Sequence, residues 1–155
     1  MFIREAVLED MESIKILLDE LNHSSAELLP SFFKIAETTN EEIKKLINNE
    51  SCELIIAEEY RKIVGLIEIH LNETKNIPVL IKKRYIYIQN LIVQESFQRK
   101  GVGKALIDAA KKWGSERGIK YYRLSVIPSN NSAISFYINE GFEPIMYNME
   151  MEIKD

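Results

Sequence analysis

An α/β chain with a mixed (α+β) sheet is the fold class this sequence predicts, and three observations carry the expectation. Short β-prone runs and helical runs follow one another in the order β-α-α-β-β-β-α-β-α-β. Residues 53–59 and 62–71 read as two strands joined at Tyr60-Arg61, an antiparallel hairpin. Residues 84–93 and 121–127 flank a long amphipathic helix, so a right-handed crossover makes those two strands parallel.

The elements follow in order. Residues 2–7 are a short β-prone start. Asp10 is suited to cap a helix whose apolar face is Ile14, Leu17, Leu18 and Leu21, and residues 22–25 are expected to break it. Residues 27–37 leave the choice open: Leu28, Leu29, Phe32 and Phe33 are apolar, and Pro30 suits a first helical turn. Thr39-Asn40-Glu41-Glu42 is a capping box, followed by Ile43, Leu46 and Ile47 as a short second helix. After the hairpin, residues 72–78 are a polar excursion. In residues 84–93, Tyr85, Tyr87 and Gln89 alternate with Ile86, Ile88 and Asn90 before a continuous Leu91-Ile92-Val93 run. Lost alternation beside a turn is where a β-bulge belongs. The helix that follows places Val102, Ala105, Leu106, Ala109, Ala110 and Trp113 at helical spacing, and Gly118 stops it. A last helix runs over about residues 130–140 to Gly141, and residues 142–153 supply one or two final antiparallel strands, with Pro144 as a break.

Length and composition bound what the chain can be. At 155 residues, with 46% hydrophobic and 28% charged side chains, it reads as one domain, 1–155, with a substantial core. No linker, repeat or low-complexity stretch marks a boundary. The apolar runs are too short for a membrane span, and the start lacks a signal-peptide layout. Cys52 is the one cysteine, which excludes an internal disulfide and suits a reducing cytoplasm. His23 and His70 lie far apart in sequence, so no metal site is expected. Residues 1–60 hold fourteen acidic and five basic side chains, and residues 61–155 hold ten and fifteen. That asymmetry fits a site meeting a cation on one side and a polyanion on the other, and it argues against general nucleic-acid binding.

Chemistry concentrates where residues 84–93 turn into the long helix. Gln98-Arg99-Lys100-Gly101-Val102-Gly103-Lys104 opens that helix, where unpaired N–H groups and the positive dipole end gather. Two glycines permit close approach of phosphates to this backbone, and Arg99, Lys100 and Lys104 add charge, so the stretch reads as a diphosphate cradle. It is not a Walker loop, because four residues are missing before Gly103-Lys104. Nor is it a Rossmann turn, because Leu106 stands where the third glycine belongs. The stretch resembles the Q/R-x-x-G-x-G/A coenzyme A signature of the GNAT acetyltransferase superfamily. A second motif, Asn130-x-x-Ala133-x-x-Phe136-Tyr137-x-x-x-Gly141-Phe142, resembles that family's N-x-x-A-x-x-[LF]-Y-x-x-x-G-F helix, and the element order matches over nearly the whole chain.

The resemblance implies a GNAT fold: a six- to seven-stranded, mostly antiparallel mixed sheet, a central splayed parallel pair and about four helices. It implies acetyl-CoA as co-substrate. Main-chain groups of Leu91, Ile92 and Val93 would hold the pantetheine arm, and backbone N–H groups from Arg99 to Lys104 the pyrophosphate. Asn130 would bond the coenzyme arm, or simply cap its helix. Tyr137 would protonate the departing sulfur as a general acid. The strand glutamate that many members use as base is replaced here by Gln89, which takes no proton; Glu68 on the neighbouring strand is the candidate replacement, with His70 on the same face, and a water chain to solvent or an amine arriving already neutral would also suffice. The implied activity is direct acetyl transfer to a primary amine of a small molecule or peptide in a ternary complex, with residues 28–33 near the acceptor. A non-catalytic acyl-CoA sensor is the alternative, and a homodimer through exposed final strands is compatible with either.

Overall fold

A computed structural model describes residues 1–155, which form two compact units, Met1–Ser125 and Val126–Asp155. The first unit is a five-stranded sheet in the order β1-β2-β3-β4-β5, with β1 Phe2–Glu5, β2 Cys52–Glu59, β3 Lys62–Glu73, β4 Arg84–Val93 and β5 Tyr121–Arg123. Helices α1 (Met11–Leu28), α2 (Asn40–Ile47) and α3 (Val102–Ser115) cover it. The first four strands pair antiparallel, and β4 pairs β5 parallel. The second unit contains α4 (Asn131–Asn139). No helix is long and apolar enough to cross a membrane.

The strand period decides which side chains meet which helix. Leu54, Ile56, Leu66 and Ile92 share one face with Ile14, Leu17 and Leu18 of α1 and Ile43 of α2. Burying each such side chain is worth about 1.5–3 kcal/mol. Gly65, next to Leu66, faces the other way, where an added Cβ would press on Val102 and Leu106 of α3. α3 buries Val102, Leu106, Ile107, Ala110 and Trp113 on that side, and the Trp113 indole donates to Glu53 at 3.2 Å.

The hairpin forms as its turn residues dictate: Tyr60 and Arg61 both take positive φ, 50° and 63°, the geometry of a two-residue turn between twisted strands. The capping box at Thr39 also forms. Thr39 Oγ1 accepts from the Glu42 amide at 3.2 Å, and Glu42 accepts from the Thr39 amide at 2.7 Å. Asp10 does not cap α1. Its carboxylate instead accepts from the Val7 amide at 2.9 Å and from both Arg4 guanidinium nitrogens at 2.7 and 3.0 Å. The Arg4 guanidinium holds the Asp10 carboxyl below its usual range, so this anchor is complete at neutral pH and is lost as pH falls through that depressed value.

Two further expectations are corrected, and one open segment is resolved. Residues 22–25 do not break α1, which continues to Leu28 because Ala26 is buried and the Asn22 amide reaches Thr38 at 3.5 Å; packing outweighs the weak helix preference of Asn and Ser. Residues 27–37 form the helix end and a turn, with the Phe32 and Phe33 amides bonded to the Leu29 carbonyl. The sheet has five strands rather than six or seven. β5 is three residues long instead of spanning 121–127, and residues 142–155 form no strand. Their sequence has strand period, but period alone does not pair a segment, and these residues bond to no strand.

Gly114 sets how closely α3 lies on β5. A Cβ there would collide with the Tyr122 hydroxyl, which donates to the Lys111 carbonyl at 3.0 Å, and would press on Ile86. Gly114→Ala is expected to destabilise the chain by about 1–3 kcal/mol in denaturant unfolding, and adding Tyr122→Phe to restore part of the loss. No loss in the single variant would refute the contact.

Candidate active site

Strand β4 organises the site because its two edges are treated differently. On one edge it pairs with β3 as far as Val93, with Ile67, Leu66 and Gly65 opposite Leu91, Ile92 and Val93. On the other edge β5 pairs only with Tyr85, Ile86 and Tyr87. Main-chain groups of β4 beyond Tyr87 that point away from β3 therefore have no strand to bond. The register also shifts between Glu68 and Ile69, which leaves Gln89 as the extra residue of a β-bulge. The bulge thus falls at Gln89 rather than in the Leu91-Ile92-Val93 run, and it turns Asn90 and Ile92 onto the face that Tyr85 and Tyr87 occupy.

That face holds a polar cluster within apolar surroundings. Glu68 is only 4% exposed. One carboxylate oxygen lies 2.6 Å from His70 Nε2, and the other accepts from Asn90 Nδ2 at 2.7 Å. A buried carboxylate is costly unless it is paired and hydrogen-bonded, and Glu68 is both. Cys52 lies across the hairpin from His70, its Sγ 3.8 Å from the same Nε2. Burial, with the Glu68 and Glu53 charges, pushes its thiol up to about 12, so it is a neutral thiol at pH 7. Cys52, Glu68 and His70 stand close enough together to share a ligand, although sequence separation keeps the histidines apart. His70 is the half-exposed member, with its Nε2 side turned to Glu68.

After Val93 the chain turns into the cradle. Gln98 Nε2 donates back to the Val93 carbonyl at 3.0 Å, tying the loop to the strand end. Arg99 and Gly101 take positive φ, 59° and 84°, which brings the backbone round to start α3. An added Cβ at Gly101 would meet nothing within 4 Å, so the approach to this backbone is open. The first helical bond runs from the Ala105 amide to the Gly101 carbonyl at 3.0 Å. The amides of Val102 and Gly103 precede it, at the positive end of the dipole, where a helix leaves such groups without partners of its own. Lys100 lies over the Phe97 ring, and Lys104 pairs with Asp108 at 3.0 Å. The cradle is thus mainly a main-chain device.

The second unit carries the other two predicted residues. Asn130 Oδ1 accepts from the Ala133 amide at 3.2 Å, which is the capping arrangement. Gly141, at φ 96°, reverses the chain so that the Phe142 amide bonds the Tyr137 carbonyl at 3.0 Å. Tyr137 then lies between two rings, 5.3 Å from Phe136 and 5.7 Å from Phe142. The motif's spacing has a mechanical meaning: cap, helix, glycine reversal, aromatic clasp. Burial pushes the Tyr137 phenol up to about 12, so it keeps its proton at neutral pH.

Two site features escaped the sequence reading. Asn90, the second donor to Glu68, is visible only once the bulge fixes the register. The Cys52–His70 pair follows from counting outward from the Tyr60-Arg61 turn, provided the one-residue shift between Ala57 and Glu58 is known. Leu28, Phe32 and Phe33, which could have been core, are instead 38%, 70% and 38% exposed, with the two rings 4.9 Å apart.

Comparison with known proteins gives the same picture. An uncharacterised N-acetyltransferase of Methanocaldococcus jannaschii is 31% identical over 100 residues, 64% of this chain and 43% of that protein, so this chain spans less than half the length of that relative. The Bacillus halodurans protein BH1408 superposes with a TM-score of 0.93 at 23% identity, covering 99% of this chain and 100% of that one. An aminoglycoside N-acetyltransferase solved in complex with CoA superposes with a TM-score of 0.75 at 18% identity, covering 99% and 100%. At these identities the two structures establish the fold alone. The family model for "Acetyltransferase (GNAT) family" matches residues 18–142, which takes in the half-paired strand β4, the cradle and the Asn130–Phe142 motif, and the chain belongs to that family.

Proposed function

We propose that this chain, acting as one domain over residues 1–155, transfers an acetyl group from acetyl-CoA directly to a primary amine of a small molecule or peptide. The observation that carries the reading is β4, whose outer edge is unpaired beyond Tyr87 and which leads into a helix with an open, glycine-bearing start. Acetyl-CoA supplies an activated thioester. In the Leu91, Ile92 and Val93 run, the main-chain groups that alternate away from β3 suit the amides of a pantetheine arm, and the amides from Arg99 to Lys104 suit a pyrophosphate. Gln98 fixes the loop through Val93, and Asn130 orders the start of the helix bearing Tyr137.

Two proton movements remain for side chains. The attacking ammonium must lose a proton, and the departing sulfur must gain one. Tyr137, which keeps its proton at neutral pH, is the donor to sulfur. Both oxygens of Glu68 are engaged, so it acts through His70: the carboxylate orients the ring, and Nδ1 is the outward acceptor for the amine proton. The exposed Leu28, Phe32 and Phe33 offer apolar contact to the acceptor. The aminoglycoside enzyme of the same fold makes cationic polyamines the first acceptors to try.

A thiol-release assay with acetyl-CoA and an amine panel tests the reading; turnover no faster than hydrolysis with every amine would leave the acyl-CoA sensor. Tyr137→Phe is expected to lower kcat about ten-fold or more while acetyl-CoA binding survives, and an unchanged kcat would remove the tyrosine from the mechanism. His70→Gln should lower kcat about ten-fold or more at pH 7 and less at pH 9, where more amine arrives already neutral; a pH-independent effect would contradict its role as base. Lys100→Ala should weaken acetyl-CoA binding less than Gly103→Asp, which adds bulk and negative charge to the cradle. Equal losses by calorimetry would contradict a main-chain cradle.

A further inference from the structure

The β2–β3 hairpin assembles a donor set that acetyl transfer does not use in full. Cys52 and His70 stand directly opposite in the ladder, and Glu68 lies two residues from His70, so all three side chains leave the same face. Their sulfur, nitrogen and carboxylate ligand atoms lie within 4.8 Å of one another, with Sγ 3.8 Å and Oε1 2.6 Å from Nε2. Donors around a tetrahedral zinc ion stand about 3.3–3.6 Å apart, so a shift of Oε1 by less than about 1 Å makes room for the ion. Cys52 and Glu68 are each 4% exposed, which sets these donors apart from solvated surface groups. Asn90 holds the second carboxylate oxygen at 2.7 Å, leaving Oε1 as the ligand and supplying the outer support that metal sites use. The partly exposed His70 gives an entry path. Sequence spacing offers no histidine pair, but the hairpin register replaces it with a mixed set.

We propose that Cys52, Glu68 and His70 bind a zinc ion, and that its binding switches off the base. Charge and softness select the ion. One thiolate, one carboxylate and one neutral imidazole balance a divalent cation, as a buried centre requires. Sulfur with nitrogen favours zinc over magnesium or calcium. Three protein ligands leave the fourth position to water on the exposed side. The switch follows from the imidazole. A carboxylate only accepts, so the Glu68 contact puts the ring proton on Nε2 and the lone pair on Nδ1, where acetyl transfer needs its proton acceptor. Zinc takes the Nε2 lone pair instead. The ring proton then stands on Nδ1, the thiol proton leaves to solvent, and the acceptor is gone. Binding stands on the geometry alone, whereas inhibition rests on the role proposed above for His70.

Cobalt(II), a coloured stand-in for zinc, is titrated into the full chain after chelator treatment. A thiolate-to-cobalt charge-transfer band with the visible bands of four-coordinate cobalt is expected, displaced by zinc and absent from Cys52→Ala. Cys52→Ser, close in size to the native residue, serves if the alanine variant does not fold. Long-range proton–nitrogen NMR is expected to find the His70 ring proton on Nε2 without metal and on Nδ1 with zinc, a readout that needs no turnover. Saturating zinc should lower kcat about ten-fold or more at pH 7, with chelator restoring it. Cys52→Ala should turn over normally without metal and need about 100-fold more zinc for the same inhibition. No thiolate band, an unchanged band in the Cys52 variants, a ring proton that stays on Nε2, or full activity in saturating zinc would overturn the proposal. A metal-free chain that acetylates no amine, yet shows the band and the proton shift, would support the zinc site and refute acetyl transfer instead.

Discussion

The architecture of the first unit depends on one strand being bonded fully on one edge and briefly on the other. β4 keeps its antiparallel ladder with β3 to Val93, which holds the strand in place while its parallel partner contributes three residue pairs and stops. A backbone that must satisfy its hydrogen bonds rarely exposes an edge without purpose. Here the exposed edge leads straight into the cradle, and Gln98 ties the loop back to the last carbonyl of the strand. The same interruption of pairing therefore leaves main-chain groups of β4 without a strand partner just before the start of α3.

The bulge at Gln89 couples this backbone arrangement to side-chain chemistry. Without the extra residue, Asn90 would face α3 and Glu68 would lose one of its two donors. With it, the carboxylate is held by His70 and Asn90 inside a face otherwise built from Leu54, Ile56, Leu66 and Ile92. Low surrounding polarity strengthens such contacts and makes an unmatched charge costly. Position 89 holds an amide, and the buried acid lies one strand away with His70 Nε2 2.6 Å from it. The imidazole is thus partly exposed, and the carboxylate beneath it is buried.

The two units resolve their polar and apolar demands in different ways. In Met1–Ser125, helices cover the sheet and Ile14, Leu17, Ile43, Leu66 and Leu106 are fully buried, while Ile35, Val79 and Ile81 lie exposed. In Val126–Asp155, a nine-residue helix is held by a cap, a glycine reversal and an aromatic clasp, and the remaining apolar side chains lie in solvent.

Local signals determined most of what the sequence could express. The Thr39 capping box, the Tyr60-Arg61 turn, the apolar stripe of α3 and the glycines at 101, 118 and 141 each act within a few residues, so they read directly from the chain, as do the Gln98–Gly103 and Asn130–Phe142 motifs that carry the family resemblance. Non-local energies decided the rest. Packing of Ala26 carried α1 through a polar stretch that propensity alone would have ended. The pairing register placed the bulge at Gln89 and so chose Asn90 as the partner of Glu68. Residues 142–155, although patterned as strands, pair with no other strand. A strand's pattern is a property of its own side chains, whereas its existence depends on hydrogen-bond acceptors and donors contributed by another segment, and no reading of one segment contains those.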